Sequence, residues 1–263
     1  MICLARFVAA ATLLLLRCIG NPALAQTYLA PGYSGKLPLT SSVDQMMDAL
    51  QLGKPAQRQD LLERLGVNSD IAHNAAQSVS VTGIRIDKLE GSHTGLLFLP
   101  CRGPGTPMAH LFLLLPGKKQ AWHVADEMSL DCWFQDATYE LPLVPGQSTS
   151  ILVHHANEGH GSGYVQDDIL LLGVRGGHLV TLLKTQEYKS EDLMGEGKTV
   201  EEKSTLQPFP DGSLEETCAK TLHETISAAA PDRVRLVAVE RRRWLWNQEG
   251  HSFTATEFRA VEP

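Results

Sequence analysis

One short segment holds most of the residues whose side chains could do chemistry. It runs from residue 154 to 168 and reads HHANEGHGSGYVQDD. Imidazole nitrogens and carboxylate oxygens of this kind are ligands for a divalent ion such as zinc. If residues 151–157 form a strand, adjacent side chains point to opposite faces, so His154 and His155 cannot both bind one ion. The candidate metal ligands are therefore His155, His160 and Asp167.

The same segment can also be interpreted as a glycine-rich hairpin loop between two strands. Its glycines would supply the positive backbone angles of a tight turn, and its aspartates would hydrogen-bond loop amides. The chain contains no HExxH motif, and the glycines fit no nucleotide-binding pattern. Ser162 lacks the glycines that a nucleophile elbow has two residues before and after the serine. We therefore expect no cofactor, and one divalent metal ion, zinc, is the alternative.

A second group of arginines and tryptophans lies at residues 240–246, ERRRWLW. On a strand, Arg242, Trp244 and Trp246 share one face. Guanidinium and indole groups together can bind sugars, anions or polar surfaces, so these three are candidate binding residues. The alternative is that the tryptophans pack in the core and the arginines pair with carboxylates. The net charge of −7 argues against nucleic acid as the partner.

The first 25 residues have the pattern of a cleaved secretory signal. A basic residue precedes a largely apolar run of ten residues, 7–16, and the sequence Ala-Leu-Ala ends at Ala25, before Gln26. We expect cleavage between these two residues. Ten apolar residues are too few to cross a bilayer, which takes about twenty, so we expect no integral membrane segment afterwards. The pattern predicts a secreted or periplasmic protein.

Export bears on the cysteines, because an oxidising compartment permits disulfides. Removal of residues 1–25 leaves Cys101, Cys132 and Cys218. We favour Cys101 and Cys132 as a disulfide pair, since both lie in the strand-like half of the chain. The alternative is three buried thiols that behave as small apolar side chains. The spacings include no CxxC or Cys/His knuckle, which excludes a structural zinc finger.

The N-terminal part of the mature chain has helical patterns. Residues 26–40 form an extended lead-in, and residues 41–76 are expected to form a small helical hairpin. The first helix is indicated by a capping box of Ser42 and Gln45 and by apolar residues at helical spacing, with Gly53 as a left-handed stop. The second begins at Pro55. The apolar positions of the first helix are Val43, Met46, Met47 and Leu50.

From residue 77 to 263 the apolar pattern has a period of two and is interrupted by turn residues. These patterns predict the fold class mainly β (α+β): an antiparallel β-sandwich or barrel-like meander preceded by a short helical hairpin. We expect the hairpin and the β-rich body to form one globular unit. Residues 187–203 are interpreted as a solvated loop or a long hairpin tip. Residues 213–230 favour a helix, with a hairpin turn at 210–212 as the alternative.

Composition limits the function classes. With 43% hydrophobic and 20% charged residues, the chain has the material for a sizeable core and is not wholly disordered. Because each catalytic pattern has a simpler structural interpretation, we expect a non-catalytic binding, scaffold or cell-envelope accessory protein with a protein or envelope partner. The alternative is a metal-dependent hydrolase or metal-stabilised module that uses residues 154–168. A partner-binding protein should expose an apolar patch of roughly several hundred Å².

Overall fold

The computed structural model describes residues 37–77, 84–89, 94–101, 108–132, 137–141, 150–156, 163–193, 196–225 and 233–261. Over these ranges the protein is mainly β, with three N-terminal helices followed by two antiparallel sheets. The mainly β, antiparallel class expected from the sequence is thus confirmed. Within the same ranges, no helix is long and apolar enough to span a bilayer.

The N-terminal helices are α1 (Val43–Leu52), α2 (Pro55–Leu65) and α3 (Ser69–Gln77). The expected capping box of Ser42 and Gln45 begins α1, and Pro55 occupies the first turn of α2. Helix α3 was not expected. Its buried positions are alanines, which give a weak apolar signal in a sequence although they let the helix pack closely; they are Ala72, Ala75 and Ala76.

The two helix-ending glycines serve different purposes. Gly53 was expected to be left-handed, but its φ of −65° and ψ of 158° are extended, so this expectation was wrong. Gly53 is instead required by space, because a Cβ there would lie 2.3 Å from the carbonyl oxygen of Ala49. Gly66, with φ of 102°, is the residue that ends its helix in the left-handed conformation.

The first sheet has four strands in the order β1-β2-β3-β4, each antiparallel to its neighbours. One face packs against the three helices and the other against the second sheet. All six residues of β2 are consequently buried, which is why residues 96–99 appear in the sequence as a continuous apolar run, LLFL. The strands are β1 (Arg85–Leu89), β2 (Thr94–Leu99), β3 (Met108–Pro116) and β4 (Trp122–Asp131).

The second sheet has nine strands, in the order β12-β11-β10-β9-β8-β7-β6-β5, with β13 also paired to β11. Its far end packs back on its middle, because Trp244 and Phe253 share an apolar cluster with Leu182 and Leu183. The strands are β5 (Thr138–Glu140), β6 (Ile151–Ala156), β7 (Tyr164–Arg175), β8 (His178–Leu193), β9 (Lys198–Pro208), β10 (Leu214–Glu224), β11 (Arg233–Asn247), β12 (Ser252–Ala255) and β13 (Arg259–Val261).

Two uncertain stretches of the sequence form strands. Of this first stretch, residues 187–193 belong to β8 and residues 198–203 to β9, and the two strands pair antiparallel. The helix expected at 213–230 is wrong, because its described part forms β10, which pairs with β9 on one side and β11 on the other. Ser213 caps no helix; its backbone N–H and its hydroxyl donate to Asp211 Oδ1 in the turn at 210–212. The structure therefore has the hairpin turn at 210–212, which was the alternative to the helix.

The disulfide joins Cys101 to Cys132, the pair favoured from the sequence, with 6.2 Å between the two Cα atoms. It ties the chain after β2 to the chain after β4. Cys218 is a free thiol buried in β10, and burial raises its pKa above the ordinary value.

Candidate functional site

The proposed metal ligands are divided by the register of β6 and β7. His155 lies opposite Asp168, whereas Asp167 lies opposite Ala156. Because directly paired residues share a face and adjacent residues do not, His155 and Asp167 belong to opposite faces of the sheet. His160 lies outside the described residues. In the ranges that the structure describes, no three His, Cys, Asp or Glu side chains come together as a metal site.

The aspartate that does share a face with His155 is already held by cationic and amide groups. Asp168 is 1% exposed. Its Oδ2 lies 2.9 Å from the Lys184 ammonium, and its Oδ1 accepts a hydrogen bond of 2.9 Å from Gln166 Nε2. An ammonium group at this distance opposes a second cation by charge repulsion, so the arrangement favours an internal ion pair.

His154, which was not among the candidate metal ligands, has a carboxylate partner on β8. Its Nδ1 lies 2.8 Å from Glu187 Oε2, and Glu187 is the extra residue where the β7–β8 register shifts. This hydrogen bond raises the pKa of His154 above its ordinary value, against the opposing effect of burial, and the charges of Glu187 and Glu140 raise it further. The pair is a candidate pH-sensitive contact.

The three candidate binding residues on β11 face the interior or its margin. Trp244 is 8% exposed, and Trp246 packs edge-on against Phe253 with 5.2 Å between ring centroids. Arg242 stacks on Trp244 and on Phe258, its guanidinium carbon 4.7 and 4.2 Å from the two ring centroids. The structure therefore places Trp244 in the apolar cluster of Leu182, Leu183 and Phe253, with Trp246 packed against it, in agreement with the alternative interpretation.

A buried carboxylate connects these residues. Glu216, on β10, is 1% exposed. Its Oε2 accepts hydrogen bonds of 2.8 Å from Arg242 Nε and from Trp244 Nε1, and its Oε1 accepts one of 2.9 Å from Thr185 Oγ1. Arg242 also donates to Thr185 Oγ1 over 3.0 Å. Both carboxylate oxygens are satisfied internally, which is the condition under which a buried charge is tolerated.

One exposed feature of the second sheet is the first part of β11, residues 233–238, which we call the open edge. Along this strand, β13 pairs with residues 239–241 and β12 with residues 244–247, both on the side away from β10. Among the described residues, no strand pairs with 233–238 on that side. Within the described chain, the backbone groups of the open edge that face away from β10 have no strand partner, and groups of this kind can pair with another strand.

Side chains on the open edge are apolar on one face and basic on the other. Val234 and Leu236 are 58% and 50% exposed, and Val237, at the register shift between β10 and β11, is 57% exposed. Arg233 and Arg235 are exposed on the other face. Within the described ranges, neither guanidinium lies in an ion pair with a carboxylate. In the described chain, the open edge therefore combines backbone groups that have no strand partner, exposed apolar side chains and positive charge.

Sequence analysis did not single out the open edge. The signal was present in the alternation of residues 233–237, RVRLV, which places two arginines on one face and two apolar residues on the other. The same alternation is typical of an ordinary strand with one buried face. Only the exposure of the apolar face distinguishes the two cases, and exposure depends on what packs there.

Comparison with known proteins gives no match to this chain, whether with family models, with curated proteins or with solved structures. The candidate site therefore rests on the geometry alone.

Proposed function

We propose that this chain is an exported binding or scaffold protein of the cell envelope, which acts by holding a partner protein and not by catalysis. The open edge of β11 carries the proposal. Three large apolar side chains, Val234, Leu236 and Val237, are each at least half exposed and lie within four residues of one another on one strand. Exposed apolar surface concentrated in one place is typical of interaction sites.

The distribution of the polar groups supports the same function. The arginine and tryptophans that could bind a small ligand are engaged by Glu216 and by the apolar cluster of Leu182, Leu183 and Phe253. Asp168, the aspartate opposite His155, is engaged by Lys184. The leader pattern of residues 1–25 supports export, and the disulfide between Cys101 and Cys132 agrees with an oxidising compartment.

The test is site-specific photocrosslinking in cells that export the protein. A photoreactive amino acid replaces Leu236 in one variant and Lys118 in another, as a matched control. Lys118 is also exposed but lies in the turn between β3 and β4 of the other sheet. N-terminal sequencing of the exported material establishes whether residue 26 is the first residue.

We expect adducts of defined mass from position 236 and none from position 118. A protein that is retained with residues 1–25 attached would overturn the export part of the proposal. Equal labelling from both positions, or none from position 236, would overturn the role of the open edge.

A further inference from the structure

We propose that the partner binds by strand addition: an extended segment of the partner, in which acidic and apolar residues alternate, pairs with the open edge and lengthens the nine-stranded sheet. This inference rests on the proposed function and names the chemistry of the partner. It is carried by the backbone of residues 233–238 and by the alternation of their side chains.

The outer side of β11 is paired along only part of its length in the described chain. On the side away from β10, β12 and β13 cover residues 244–247 and 239–241, and the pairing ends there within the described chain. The inner side of the open edge remains paired to β10 as far as Arg233 opposite Glu224. The strand is therefore held in an extended form on one side while its other side can accept a ladder of main-chain hydrogen bonds.

The alternation of basic and apolar side chains on the open edge predicts the composition of the added strand. Directly paired residues of neighbouring strands share a face. Residues placed opposite Arg233 and Arg235 would thus lie beside two exposed guanidinium groups, and acidic side chains fit there. Residues opposite Val234 and Leu236 would cover exposed apolar surface, and apolar side chains fit there. The segment recognised is then acidic at every second position and apolar between.

A second copy of this chain fits the open edge less well. In an antiparallel dimer about a two-fold axis, a register centred on Val234 places Arg233 opposite Arg235, and one centred on Arg235 places that residue opposite itself. Like charges directly opposite each other destabilise a sheet. A register centred on Leu236 aligns Arg235 with Val237, the residue at the register shift. A partner of opposite charge avoids the two like-charge pairings and gives both arginines an acidic neighbour.

The experiment measures binding of fluorescein-labelled octapeptides to the exported protein by fluorescence anisotropy. One peptide alternates glutamate with valine, and another alternates lysine with valine. The protein is compared with the charge-reversed variant R233E/R235E and with a matched control, K88E/K118E, which makes the same charge change at two exposed lysines of the four-stranded sheet. Circular dichroism verifies that both variants fold.

We expect R233E/R235E to weaken binding of the glutamate peptide about tenfold, from two exposed charge pairs lost. The same variant should bind the lysine peptide more tightly than the unaltered protein does, and K88E/K118E should behave as the unaltered protein. Equal effects of the two double variants would show a general charge effect and overturn the proposal.

Backbone pairing is tested with two N-methylated forms of the glutamate peptide, one methylated at the odd residues and the other at the even residues. Only one side of an added strand faces β11, so one form should bind and the other should not. Equal binding of both forms, or no binding of the unmethylated peptide, would overturn strand addition. If the photocrosslinking experiment gives adducts from position 236 but the peptides give one of these two results, the proposed function stands and only strand addition is rejected.

The occupant is tested by sedimentation of the protein without peptide. We expect a concentration-independent mass of one chain. A dimer that dissociates in the variant L236D would assign the open edge to a second copy and overturn the choice of partner.

Discussion

The indole Nε1 of Trp244 donates a hydrogen bond of 2.8 Å to Oε2 of Glu216, deep between β10 and the folded-back end of the second sheet. The same oxygen accepts from Arg242. A carboxylate that is 1% exposed thus links two of the three residues that the sequence offered as a ligand-binding face. Their side chains stabilise the protein's own core.

Removal of this carboxylate should be strongly destabilising. In Glu216→Ala the guanidinium of Arg242 and the indole of Trp244 lose their acceptor while they remain partly or fully buried. We expect a loss of about 3 kcal/mol in the free energy of unfolding, measured by urea denaturation. The double variant E216L/R242M, which replaces both charges with apolar groups, should lose clearly less than the sum of the single substitutions. Additive losses would contradict a coupled buried pair.

The disulfide should contribute through the unfolded chain. Cys101 and Cys132 are 31 residues apart, and closing a loop of this length lowers the entropy of the unfolded state by an amount worth about 3–4 kcal/mol. The variant C101S/C132S should lose up to that free energy of unfolding. The matched variant Cys218→Ser should keep the stabilisation that the disulfide provides. In the unaltered protein, the Cys218 thiol should react with a thiol reagent only after denaturant is added, because it is buried. Rapid reaction in the folded protein would contradict this placement.

The contact between His154 and Glu187 should make stability depend on pH. The folded-state pKa of His154 is raised above 6.5, so the folded protein holds this proton more tightly than the unfolded chain does. The stabilisation is therefore complete below about pH 6.5 and is lost as the pH rises through the folded-state pKa. In Glu187→Gln the pKa measured by NMR titration should fall, and the difference in unfolding free energy from the parent should shrink as the pH rises.

A matched variant, Glu191→Gln, removes a carboxylate of the same strand that pairs with Lys189. It should leave the pKa of His154 where it is in the parent. A similar fall in both variants would mean that His154 responds to the general charge of β8 and not to the hydrogen bond with Glu187.

Metal content gives a direct test of the rival interpretation. We expect protein purified from the exported fraction without chelator to contain far less than one zinc ion per chain by mass spectrometry, because His155 and Asp167 lie on opposite faces and Lys184 occupies Asp168. The unfolding midpoint should be unchanged by a chelator. One ion per chain that is lost in His155→Ala or His160→Ala would restore the metal-dependent hydrolase.

Local patterns carried much of the fold. The capping box at Ser42, the proline that begins α2 and the glycine pair at 176–177 between β7 and β8 each act within a few residues, so the sequence shows them directly. The run 213–230 shows the limit of such signals. Its apolar spacing and its serine fit a helix, yet strands on both sides supply a complete ladder for β10, and tertiary pairing overrides local preference.

The sequence by itself determined the mainly β class, the first two N-terminal helices and the favoured cysteine pair, because these depend on periodicity, turn chemistry and a small number of cysteines. Tertiary structure alone decided the chemistry of the candidate sites. A shift of one residue in the β6–β7 register would place a different residue opposite His155. The side chain of Arg242 points inward because it donates a hydrogen bond to Glu216, which lies on the neighbouring strand. In the described chain, the pairing of β13 with β11 reaches no further than Val239, which leaves residues 233–238 as the open edge. Register, burial and the reach of a neighbouring strand all depend on residues distant in the chain.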